Sequence, residues 1–245
     1  MSITRLSGGL TPADGSDPRT FPTIWNATAD VVDALGVGFR YAGTRYFFSD
    51  GDFEKADPFD DGNPSGLAVR AIRVTCVGGG AGGGRRNDDG CGAGGSGGST
   101  AISFITDMSA VASTVTVLRG GGGAGGASDL TPGDDGGPSS FGSLVIATGG
   151  RGQATSGAQA QNAAGGSVGD AVMRGGGATS GAVAVRLAGG TGGSSTMGAG
   201  GIGIRANTTG AGGDGELFGG GGAGGSRAAD GGAGADGVVI VDVFA

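Results

Sequence analysis

The feature that most limits what this chain can become is an abrupt change of composition after Val77. Of its 64 glycines, 55 follow that residue, in runs such as Gly78-Gly-Gly80, Gly120-Gly-Gly-Gly123 and Gly219-Gly-Gly-Gly222. Glycine loses more backbone entropy on folding than any other residue and brings no side chain to a core. A chain that folds with this content needs an interior made of something other than packed side chains. Two familiar uses of glycine do not fit. Collagen requires a strict triplet and abundant proline; here the strict triplet is absent and only Pro132 and Pro138 lie after residue 77. A flexible linker does not interleave its glycines with Thr114-Val-Thr-Val-Leu118, Leu144-Val-Ile146 and Val238-Val-Ile-Val241, which have strand propensity.

A packed alternative exists. Helices of polyproline-II type have three residues per turn and no internal hydrogen bonds. When the side chain is only hydrogen, neighbouring helices approach closely enough to bond backbone to backbone, with Cα–H···O contacts adding a little. Pairs such as Gly82-Gly83, Gly94-Gly95, Gly125-Gly126 and Gly192-Gly193 suit packing positions in such rods. The intervening stretches rich in Asp, Arg, Asn and Gln are then the reversals.

The first 77 residues read differently. They hold nine glycines, Trp25, both tyrosines and six of the ten phenylalanines, so an ordinary core is expected only here. Residues 1–38 read as a turn-rich arm followed by a short amphipathic helix. Ile24, Thr28, Val31 and Leu35 lie at helical spacing with Trp25 and Val32 beside them, Pro22 just before and Gly36 just after. From Phe39 the period becomes two. Tyr46-Phe-Phe48 reads as a strand, Gly51-Asp52-Phe53 as a turn, and Leu67 to Val77 as a strand with Ile72, Val74 and Cys76 on one face. Further strands are expected at Ala101 to Thr106, Thr114 to Leu118, Leu144 to Ala147, Val183 to Leu187 and Gly237 to Val243. For Cys76 and Cys91, a disulfide and a reduced pair are both open.

Several function classes are set aside. There is no histidine, which removes Ser/His/Asp and Cys/His catalysis and His-ligated metal sites. The net charge of −7 is the wrong sign for phosphate-driven nucleic-acid binding. No run reaches the 18 or so apolar residues that a membrane span needs, and Met1 to Leu10 does not read as a secretory signal. Gly94-Gly-Ser-Gly-Gly98 fits a nucleophile-elbow string only because glycine fills every position. The pairs Asp60-Asp61, Asp88-Asp89 and Asp134-Asp135 lack the spacing of a calcium loop and read as solvated turns. No cofactor and no metal are expected, and the chain is read as non-enzymatic.

The order of elements resembles a known family. Tyr46-Phe-Phe-Ser-Asp-Gly-Asp-Phe53 and Ala71-Ile-Arg-Val-Thr-Cys-Val-Gly-Gly-Gly80 are similar to the opening strands of the glycine-rich tail-fibre proteins of tailed bacteriophages. Gly120 to Gly126, Ser139-Ser-Phe-Gly142 and Ala147-Thr-Gly-Gly150 are similar to its middle, and Gly219 to Gly225 with Gly237-Val-Val-Ile-Val241 to its end. Leu6-Ser-Gly-Gly-Leu-Thr-Pro12 through Trp25-Asn26 looks like a segment that docks on the virion. The resemblance implies a virion tail component, often trimeric, used in host recognition, with polyglycine-II-like packing.

The expectation is therefore a mainly β fold with glycine-rich rods and a short N-terminal helix, fibre-like and trimeric. It has an attachment arm at 1–38 and a glycine-rich domain at 39–245. Attachment and oligomerisation are assigned to Leu6, Phe21, Ile24, Trp25, Thr28, Val31, Val32 and Leu35. The candidate receptor contacts are loop residues able to hydrogen-bond a cell-surface glycan or an outer-membrane protein: Arg85, Arg86, Asn87, Asp88, Asp89, Arg151, Gln153, Gln159, Asn162, Arg205 and Asn207. The other partners are tail proteins bound through the arm; neither nucleic acid nor membrane insertion is expected. The alternative is a connector that joins the tail to a separate receptor-binding fibre, which the scarcity of aromatics in the later loops favours.

Overall fold

The computed structural model describes residues 40–60, 68–86, 90–128, 130–152, 167–181, 188–204, 209–226 and 228–245. The arm and helix expected over 1–38 lie outside the described residues, as does the strand expected at Val183 to Leu187. What is described is mainly β and contains no helix. The strands are β1 (Tyr41–Phe47), β2 (Gly51–Glu54), β3 (Ala71–Val77), β4 (Thr100–Ile105), β5 (Thr114–Leu118), β6 (Ser139–Phe141), β7 (Val145–Ala147), β8 (Ala171–Met173) and β9 (Val238–Phe244). They form two antiparallel sheets, in the orders β1-β9-β3-β4-β8 and β2-β5-β6-β7.

Alternation places the core. On β3, Ile72, Val74 and Cys76 point inward as their period of two requires, and Val239, Val241 and Val243 of β9 join them. The facing sheet supplies Phe53, Val115, Val117, Phe141, Val145 and Ala147. Phe53 and Phe141 meet edge to face at 5.4 Å between centroids. This corrects the expectation that an ordinary core exists only near the N-terminus. Valines from 115 to 243 complete it, because strands far apart in sequence are interleaved in the sheets. Gly51-Asp52-Phe53 is also corrected, from a turn to the strand β2; the bend falls at Phe48 to Asp50. Both cysteines are buried and neither is in a disulfide, which settles the alternatives left open by the sequence in favour of thiols. Burial pushes the Cys76 thiol up to about 12.

Beyond the sandwich the chain runs out and back in glycine segments that continue its strands. Segment 78–86 leaves β3 and segment 90–99 returns into β4; 119–128 leaves β5 and 130–138 returns into β6. Segments 219–226 and 228–237 make the last excursion before β9. Their interior is backbone. Along 78–86, successive N–H groups donate to three neighbours in rotation, at 2.8–3.1 Å. Gly78, Ala81 and Gly84 bond Ser99, Ser96 and Ala93. Gly79, Gly82 and Arg85 bond Gly137, Asp134 and Thr131. Gly80 and Gly83 bond Ala235 and Gly232. The carbonyls of the same segment accept from three more neighbours, through Gly123 and Gly126, Gly150, and Gly222 and Gly225. The three neighbours that accept from it run antiparallel and the three that donate to it run parallel.

Glycine is required by the closeness of this packing. A Cβ on Gly79 would sit 2.1 Å from the Gly121 carbonyl oxygen, and one on Gly82 would sit 1.9 Å from that of Ala124. Residues 78–84, 90–99 and 219–226 are buried throughout. At the junction with the sandwich, the Ser139 hydroxyl donates to the Val77 carbonyl at 2.6 Å and accepts from Gly120 N–H at 2.8 Å.

Candidate functional site at the loop end

Because β9 enters the sandwich from the bundle, its last residue lies at the pole away from the glycine segments. There Arg40 and Ala245 exchange two backbone hydrogen bonds of 2.9 and 2.8 Å. The opposite pole is made of reversals between outgoing and returning segments. Segment 78–86 ends there, beside the reversals between Gly126 and Thr131 and between Ser226 and Gly231.

Arg85 ties these reversals together. Its N–H bonds Thr131 O at 3.1 Å, its Nη1 donates to Ala127 O at 2.7 Å, and the same nitrogen pairs with Asp230 at 2.6 Å. The side chain is only 22% exposed. Arg86 is half-buried, and its carbonyl accepts from Ala228 N–H at 2.8 Å. Ser128 and Thr131 close a turn, with Thr131 N–H bonded to Ser128 O and the Thr131 hydroxyl returned to the same carbonyl. Two non-glycine residues here hold left-handed backbone, Leu130 at φ 57° and Ala228 at φ 65°. Such conformations are costly and persist where surrounding bonds fix them; the flanking hydrogen bonds do so here. The exposed surface at this end includes Ser128, Leu130, Pro132 and Asp230.

The sequence-predicted site residues divide into three groups. Arg85 and Arg86 are brought to this end. Arg151 is not: its N–H and carbonyl bond Ser96, which is paired with Ala81, so it lies on the flank, four residues short of Arg85, with its side chain exposed. Asn87, Asp88, Asp89, Gln153, Gln159, Asn162, Arg205 and Asn207 lie outside the described residues, as do Leu6, Phe21, Ile24, Trp25, Thr28, Val31, Val32 and Leu35. Of the pair Asp134-Asp135, Asp135 accepts from Gly152 N–H at 2.7 Å and so anchors the neighbouring segment.

Asp230 and the turn around Ala228 were missed from the sequence, although Ser226 to Asp230 is a polar interruption between glycine runs of the kind used to select the other loops. A second arginine–aspartate tie lies at the sandwich end of the same returning segment. Arg119 pairs with Asp236 at 2.5 Å, and the other Asp236 oxygen accepts from Gly122 N–H at 2.8 Å. Lys55 is likewise committed, donating to the carbonyls of Met108 and Val111 at 2.9 Å each.

No curated protein matches the chain. Residues 64–244 match the family model described as a glycine-rich domain; this covers most of the sequence, and the chain belongs to that glycine-rich domain family.

Proposed function

We propose that the protein is a tail-fibre component of a tailed bacteriophage that presents its loop end to the host cell during adsorption. The observation that carries this reading is polarity: the described chain enters and leaves at one pole of the sandwich, through Arg40 and Ala245, while reversals converge at the other. The bundle between them is of polyglycine-II type, a reading supported by the three-residue rotation of hydrogen-bond partners along 78–86. Such a bundle is stiff, so the loops it carries lose little freedom on binding. The ligand is a surface glycan or an outer-membrane protein, recognised through loop hydrogen bonds. Three copies assemble on the virion tail, residues 1–38 attach them to other tail proteins, and several copies give avidity. The action is binding, without catalysis.

The test is a competition. Host cells are incubated with the purified full chain, the phage that carries it is added, and unadsorbed phage are counted. A saturable fall in adsorption is expected, weakened by substitutions at Arg86 and Leu130. Unchanged adsorption with folded protein would instead favour a connector between the tail and another fibre.

A further inference from the structure

The five-stranded sheet has an outer face, turned away from the second sheet, that is partly open to solvent: Thr75 at its centre is buried, Ile102 and Ile240 beside it are half-buried, and the aromatic side chains at its margins are exposed. Ile102, Ile240 and Tyr46 lie in one cross-strand row on that face, with Tyr46 55% exposed. At its far end Tyr41 and Phe104 both stand edge-on to Phe244, at 5.8 and 5.6 Å between centroids. Tyr41 is 58% exposed and Phe104 45%. The charges at the middle of the face, Arg73 and Asp242, neutralise each other at 2.6 Å. The occupant such a face accepts is apolar and carries no net charge at its contact.

Size and position select one. Five strands at a spacing of ~4.8 Å make the face about 19 Å wide. Two to three rows deep, it offers about 250 Å², well below the roughly 800 Å² per partner of a standard protein–protein interface. A second folded copy is therefore a poor fit for this surface alone. A twelve-residue helical stripe would be about 18 Å long. The sequence carries such a stripe in Ile24, Trp25, Val31, Val32 and Leu35, and the chain that bears it joins the described structure at Arg40, next to Tyr41 on this face. The four residues from 36 to 39 can span about 13 Å, enough to bring the stripe back over the sheet.

We propose that the apolar stripe of residues 24–35 docks on the outer face of the five-stranded sheet of its own chain. This goes beyond the adsorption reading and stands without it. It leaves trimer contacts to other surfaces.

Trp25 is the sole tryptophan, so its fluorescence reports on the stripe directly in the full chain. The variants are Tyr46→Gln and Phe104→Gln on the face, with Leu130→Gln at the loop end as control. Docking predicts blue-shifted Trp25 emission in the parent chain. It predicts a red shift with stronger acrylamide quenching in both face variants, no change in the control, and unchanged molar mass by light scattering. Where circular dichroism shows a face variant unfolded, Val31→Asp replaces it and should give the same red shift with the sheet intact. Parent emission typical of solvent-exposed indole overturns the proposal, as does emission unmoved by the face substitutions. A red shift that appears only with a loss of molar mass also overturns it, because the stripe would then be held between copies.

Discussion

Replacing Gly80 by alanine should be among the most damaging single-methyl additions this chain can receive, while the same change at Gly121 should be harmless or helpful. A Cβ on Gly80 would lie 2.0 Å from the Gly220 oxygen and 2.4 Å from its carbon, with the Gly219 oxygen at 2.8 Å. Those neighbours are backbone and cannot rotate away. To relieve the clash the two segments must part by more than 1 Å, by about the difference from an ordinary contact. That movement stretches the bonds that join these two segments, from Gly222 N–H to Ala81 O at 2.8 Å and from Gly225 N–H to Gly84 O at 3.1 Å. Overpacking of this kind costs about 1–3 kcal/mol, and each of two buried bonds adds about 1 kcal/mol. The sum is about 4 kcal/mol, a large share of the stability of an ordinary domain. At roughly 2–4 °C per kcal/mol for a chain of this size, Tm should fall by about 8–16 °C.

Gly121 is the contrast. Its nearest neighbour would be an Asp236 carboxylate oxygen at 4.0 Å, and its backbone is not left-handed. Alanine there restricts the unfolded chain without strain in the folded one, a gain of about 0.4–1 kcal/mol. The assay is a thermal or urea melt of both variants beside the parent, followed by circular dichroism. Equal Tm values for Gly80→Ala and Gly121→Ala would refute the argument that backbone proximity, and not glycine's flexibility, fixes these positions.

Cys76 is held neutral by burial, with its pKa raised from 9.0 to about 12; the stability it contributes is full below pH 9 and is lost as pH rises toward 12, at about 1.4 kcal/mol per unit. Urea melts at pH 8 and pH 10 should show a loss in the parent that Cys76→Ala lacks, and equal losses would refute the assignment. Arg85→Ala should cost about 1–2 kcal/mol through its bonds to Ala127 O and Asp230, and it should raise hydrogen exchange at 127–131 and 226–230 while the sheet stays protected; exchange unchanged in those turns would mean that Arg85 is not their tie.

Parts of this fold are legible in the residues. The alternation of Ile72, Val74 and Cys76 places β3 correctly, and Val238-Val-Ile-Val241 gives β9, because buried strands read directly as apolar runs. Ser139–Phe141 and Ala171–Met173 do not announce themselves, since three residues are too few to show a period. The glycine segments carry a signal that a count over the whole chain conceals. Non-glycine residues recur every third position at Ala93, Ser96 and Ser99, at Ala188, Thr191 and Ser194, and at Asp230, Ala233 and Asp236. The phase resets at each reversal, so no strict triplet survives along the sequence. Ala188, Thr191 and Ser194 are exposed, whereas Ala93, Ser96 and Ser99 are buried in a segment surrounded by others. The role of Arg85 as a tie was not legible, because its partner Asp230 is 145 residues away.

This construction separates the loops from the interior more completely than a side-chain core can. In an ordinary domain a loop leaves from a strand or helix whose position depends on complementary side chains, and interiors close-packed in that way transmit strain when one member changes. Here the segments from which the loops leave are placed by N–H and carbonyl groups, which are the same whatever residues occupy the reversals. Gly84 and Gly126 are fixed by bonds to Ala93 and Gly83, and nothing in those bonds depends on the identity of Ser128 or Leu130. Substitution at exposed reversal residues outside the Arg85–Asp230 tie, such as Ser128, therefore changes surface chemistry at little structural cost, while a single methyl in the interior meets backbone at 2 Å. A scaffold with that asymmetry suits a protein whose binding surface must vary while its shape does not. The glycine content is the physical condition for it, since only hydrogen side chains let the segments approach to within backbone bonding distance on every side.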